Sequence, residues 1–142
     1  MRSAQRIGRI ADVVAYRRFE SLLEARIREL VTCVAARHTP NQFEWLMHEP
    51  LALNAGVLQS TLDAIAVVRQ PHSIAADETV ALDLAHEVLR HNGCSDATYA
   101  AALQTFGEQG VVELVSLVGY FVMVFWVMNV ARTPGQSKPG AP

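Results

Sequence analysis

"RELVTCVAARHTPNQFEWLMHEPLALNAGV", residues 28–57, reads as two helices joined by a short turn, and that reading decides the fold. Ile27, Leu30, Val31 and Val34 recur at three- and four-residue spacing, the apolar stripe of a helix over about 22–37. Thr39-Pro40-Asn41-Gln42 then restarts the chain: Thr39 can cap, Pro40 suits a first helical position and Gln42 can complete a capping box. The second helix runs to about Ala55, and Gly56 stops it.

The same pattern continues on both sides. Ser60-Thr61-Leu62-Asp63 has the form of a second capping box, opening a short helix to about Val68. Val80, Leu84 and Val88 share a face over 77–91, and Asn92-Gly93 is a helix stop. Ser95 can cap a helix to about Phe106, and another runs from Gly107 to about Ala131. No alternating apolar–polar run bounded by turn residues predicts a strand. The expectation is an all-α domain of about six helices over 1–133, with residues 134–142 a disordered tail. Near the N-terminus, Arg2, Arg6, Arg9, Arg17 and Arg18 oppose Ile7, Ile10 and Val14, an amphipathic helix over about 4–19 with its arginines toward water.

"VVELVSLVGYFVMVFWVMNVA", residues 111–131, is about 31 Å long at helical rise, enough to cross a bilayer. Glu113 and Asn129 interrupt it, and the amphipathic helices before it need an apolar partner, so a core helix is the expectation and a membrane partner is not. The 142 residues suffice for one core without disulfides. With 51% apolar and 18% charged residues and a net charge of −2, the chain lacks the basic face of a nucleic-acid binder. Cys33 lies in an apolar run and Cys94 in a loop, with no paired spacing, and no secretory h-region opens the sequence. A reducing cytoplasm is the expected location.

Glu44 and His48 are four apart on one helix face, where a carboxylate can orient an imidazole and stabilise its protonated form. Trp45 and Met47 lie off that face. Glu29 sits among apolar neighbours, where it needs a partner or water. If the two helices form a hairpin, Glu29 reaches the same site; otherwise it pairs with Arg26 or Arg28. The three groups equally suit a hydrogen-bonded helix face without chemistry. A metal site is the other rival, but carboxylate-bridged dimetal helices use Glu-x-x-His, with spacing three, usually twice. His86 and His91 share a face poorly, and no phosphate loop or dinucleotide fingerprint is present.

The Arg28-Glu29-Leu30 helix, followed by Phe43-Glu44-Trp45-x-x-His48-x-Pro50-x-Ala52 and Gly56, with "SDATYAAALQTFGEQGVVELVSLVGYFVMVFWVMN" at 95–129 as its companion, resembles the carboxymuconolactone decarboxylase family. The resemblance spans about residues 22–133 and implies the alkylhydroperoxidase D-like helical fold, assembled as trimers or hexamers. Its peroxidase branch carries Cys-x-x-Cys before a histidine, with a glutamate on the preceding helix. Glu29 and His48 match those two, whereas Asn41 and Glu44 stand where the cysteines would be, so thiol peroxidase activity is not implied. The decarboxylase branch has no such pair, and its acidic or amide residue four before a histidine matches Glu44 and His48. The resemblance therefore implies a cofactor-independent lyase or isomerase acting on a small carbonyl or lactone acid, without metal. His48 would be the proton donor, Glu44 would set its tautomer and Glu29 would relay to solvent, with Arg37 and Trp45 as substrate-binding candidates. The alternatives are a non-catalytic helical oligomer that binds a small ligand or partner, and a redox-related protein that has lost its thiols.

Overall fold

The computed structural model describes residues 21–132, so the helix expected over 4–19 and the tail 134–142 lie outside the described residues. The described chain is helical, with no strand: α1 (Ala25–His38), α2 (Gln42–Asn54), α3 (Gln59–Ala66), α4 (Ala76–His91) and α5 (Asp96–Ala131).

The central element is α1, which packs against each of the other four helices. Its residues 30–36 are all buried, so the single stripe expected from spacing has widened to the whole circumference. Cys33, Ala35 and Ala36 are small enough to let neighbours approach from the sides the stripe leaves open. Helix α5 covers α1 and α4 with Leu114, Leu117, Val118, Val122 and Phe125, which places one of its faces in the core. Its opposite face is bare, and only 28% of the residues in its most apolar stretch are buried. Length and composition would let this helix cross a membrane.

Polar contacts fix the ends. Arg26 spans from α1 to the first turn of α4, reaching Asp77 at 2.5 Å and Glu78 at 2.7 Å. Glu78 is buried, and that guanidinium is its partner. Arg28 donates to the Leu23 carbonyl, so neither arginine is left for Glu29. Glu113 accepts from Ser21 Oγ at 2.8 Å and from the Leu22 amide at 3.0 Å, which satisfies one of the two polar interruptions in α5.

The stops at Gly56 and Asn92 and the Ser95 cap occur as the sequence predicts, with Ser95 Oγ accepting from the Thr98 amide at 3.2 Å. Two caps differ. Asn41, not Thr39, caps α2, because the Thr39 hydroxyl is spent on the Ala35 carbonyl at the end of α1. Helix α3 begins at Gln59 with no side-chain cap, so Ser60-Thr61-Leu62-Asp63 lies inside it.

Of the residues with positive φ, Gly107 and Val68 adopt it with opposite consequences. Gly107, at φ 71° and ψ 173°, breaks α5 in a region essentially reserved for glycine. Val68, at φ 56°, closes α3 in a Schellman turn, with its amide bonded to Ile65 and the Arg69 amide to Ala64. That position favours glycine, and a β-branched side chain there is strained. Gly107→Ala is expected to lower stability by about 1–3 kcal/mol. Val68→Gly should raise it by about 0.5–1 kcal/mol, since relief of strain exceeds the added chain entropy and the side chain is 62% exposed. Urea midpoints of the two variants would decide: shifts of the same sign would contradict this assignment of strain.

Candidate active site

Helices α1 and α2 pack as the hairpin that the short connection allows, and the hairpin delivers Glu29 to His48. His48 Nδ1 stands 2.7 Å from Glu29 Oε2, and His48 Nε2 stands 3.2 Å from Glu44 Oε2. The first contact joins two helices; the second is the i,i+4 pair of α2. Phe121 of α5 sets its ring nearly perpendicular to the imidazole, with centroids 5.5 Å apart. The His48, Glu29 and Glu44 side chains are 13%, 18% and 16% exposed, so the trio is half-buried yet touches solvent.

Burial alone would push His48 below its ordinary value. The hydrogen bonds to Glu29 and then Glu44, with their charges, outweigh burial and hold it up at about 9. At neutral pH the ring is therefore an imidazolium donating from both nitrogens. Among the described residues no group of three or more His, Cys, Asp and Glu is arranged to hold a metal.

The other candidates fall elsewhere. Arg37 is not brought to the trio: eight positions after Glu29 on α1, it lies about 12 Å further along the axis. There it donates from Nε to the Ala66 carbonyl at 2.7 Å and lines a separate cavity. Trp45 is half-buried against the core. Cys33, one turn after Glu29, is fully buried, and burial followed by the charge of Glu29 pushes its thiol up to about 12, which leaves no thiolate. Two contributors were not foreseen at the site, although Asn129 stood out as a polar interruption of an apolar helix. Phe121 belongs to a uniformly apolar run, and Asn129 sits near the end of α5. Asn129 donates to the Thr39 carbonyl at 2.8 Å and accepts from Asn41 Nδ2 at 3.2 Å, while Asn41 Oδ1 takes the Glu44 amide at 3.0 Å. The Asn41 amide thus anchors the helix bearing the site.

Among the described residues, fold and site together define an all-helical arrangement with a half-buried Glu–His–Glu cluster and no thiol at it. The sequence profile of the carboxymuconolactone decarboxylase family matches residues 4–87, and the chain belongs to that family. The match includes the N-terminal arginine-rich segment and ends before α5. No curated protein sequence matches the chain. A similar solved structure is the crystal structure of an Agrobacterium tumefaciens protein of unknown function, proposed there as an antioxidant defence protein AhpD. It is 14% identical, with a TM-score of 0.82 over 95% of this chain and 93% of that one. That likeness establishes the alkylhydroperoxidase D-like fold.

Proposed function

We propose that the chain is a cofactor-independent acid–base enzyme of the lyase or isomerase type, in which His48 returns a proton to carbon on a small carbonyl or lactone acid. The observation that carries this reading is the His48 ring held between two carboxylates at 2.7 and 3.2 Å, a setting that favours its protonated form. Loss of carbon dioxide, or proton removal beside a carbonyl, leaves an enolate. An acid held at about 9 can protonate that carbon while staying charged until it is needed. The shorter Glu29 contact orients the ring through Nδ1. The longer Glu44 contact covers Nε2, so substrate takes Glu44's place there, and once His48 has given its Nε2 proton to carbon the neutral ring regains one from solvent through Glu44, the reverse of the roles expected for the two glutamates from the sequence. Two carboxyl groups face one imidazole, so the carbonyl end of the substrate, not an acid group, is what this centre accepts.

The test is turnover of a panel of small lactones and keto acids by wild type and His48→Gln, with circular dichroism showing that the helices persist. A fall of about 100-fold or more is expected. Undiminished turnover would remove His48 from the mechanism.

A second reading, a non-catalytic helical oligomer, draws on the bare apolar surface: Trp126 is 60% and Val130 is 84% exposed on α5, with Leu46 and Met47 exposed on α2. Surface of this kind on a soluble chain is covered by a partner, and we assign that role to further copies in a trimer or hexamer. Light scattering should then give a multiple of the chain mass, and Trp126→Glu a smaller particle. A monomeric wild type would end this assignment. The fold also accommodates a redox relative that has lost its thiols. Cys33→Ser and Cys94→Ser are both expected to leave any peroxide turnover unchanged, because one thiol is buried and the other lies exposed in the 92–95 loop, with no second cysteine beside it to resolve an oxidised form.

A further inference from the structure

The C-terminal ends of α1, α3 and α4 converge on a cavity of about 340 Å³. Its polar wall is Arg37, His38, Arg69, Gln70, His86 and Arg90, and none of its lining residues is Asp or Glu. Buried Val34 and Ile65 contribute apolar surface. The wall includes none of Glu29, Glu44 and His48, so a ligand bound here is independent of the acid–base centre.

Basic residues near helix C-termini are ordinary, because they offset the partial negative charge of unpaired carbonyls. The magnitudes decide whether that is all they do here. Three helix ends sum to roughly −1.5 elementary charges, against three full guanidinium charges. Arg37 satisfies one α3 carbonyl with Nε, and among the described residues none of Arg37, Arg69 and Arg90 forms an ion pair. His86 is held below the ordinary imidazole value by burial, then by Arg90, with His38 adding to this against the pull of Asp83. Behind the larger effect of burial, Arg90 acts with the sign expected of a cationic wall. The strained Val68 turn also lines it, and that turn sets where Arg69 leaves α3.

We propose that this cavity is a binding site for a small organic anion, a carboxylate or a phosphate ester, gripped by Arg37, Arg69 and Arg90 with its carbon skeleton against Val34 and Ile65. Guanidinium forks match the paired oxygens of both groups, and the volume suits a metabolite-sized ligand better than a bare ion.

The test is calorimetric titration of the full chain with inorganic phosphate and, separately, with succinate. Saturable binding of one anion per chain is expected for at least one probe, and the stronger probe names the source. Arg69→Gln and Arg90→Gln, both at exposed positions whose loss leaves the core intact, should each weaken it by about 10-fold or more. His48→Gln should leave it unchanged, which separates this site from the acid–base centre. Absence of saturable binding for both probes, or equal affinity in wild type and both arginine variants, would overturn the proposal.

Discussion

Raising the pH from 6.5 to about 9 is expected to cost the folded chain on the order of 3 kcal/mol, and His48→Gln is expected to remove that loss. The folded His48 value is raised above the unfolded one, so the unfolded chain releases its proton first. The contribution is fully present below 6.5 and disappears as pH rises through about 9. His86 acts oppositely and below this window: its folded value is lowered, so its effect is to raise stability as pH climbs toward 6.5. Cys33, pushed from 9.0 up to about 12, adds a further loss only above 9, which sets the upper limit of the measurement. Urea unfolding at several pH values across the window provides the readout. Wild type and His48→Gln should converge near pH 9 and diverge toward pH 6.5, with Glu29→Gln in between. Parallel curves would mean that the short contact to Glu29 does not hold the proton in solution.

The second large effect is at Phe125. Its ring is fully buried, lies 5.4 Å from that of Phe121, and through Phe121 backs the imidazole of His48. Phe125→Ala removes a ring from the packed face of α5 and is expected to cost about 3–5 kcal/mol, a large fraction of the roughly 5–15 kcal/mol that stabilises a domain. Phe125→Leu retains most of the apolar volume and should cost about 1–1.5 kcal/mol. A Phe125→Ala midpoint within error of wild type would show that α5 is not part of the core.

Much of this protein is legible residue by residue. Gly56, Asn92-Gly93 and Ser95 mark their helix boundaries because they act through their own backbone or the next turn. Glu44 over His48 follows from helix pitch alone. The cap of α2 differs from expectation because it has competing local solutions. Thr39 and Asn41 both suit a cap, and the choice falls to Asn41 because the Thr39 hydroxyl closes α1 and Asn129 reaches across from α5 to hold both residues.

What the sequence by itself determined is the helical class and the pair on α2, since each depends on spacing within a short segment, and the family, through the resemblance of its motifs across residues 22–133. Which partner Glu29 takes, whether Arg37 stands near it, and which helix lies at the centre were settled only in three dimensions. Arg26, Arg28 and His48 were all chemically able to meet Glu29. The crossing of α1 and α2 and the position of α4 gave Arg26 to Asp77 and Glu78, and left His48 for Glu29. The cavity of three arginines is the same kind of fact: residues 37, 69 and 90 share no local pattern, and they meet because three helices end at one place.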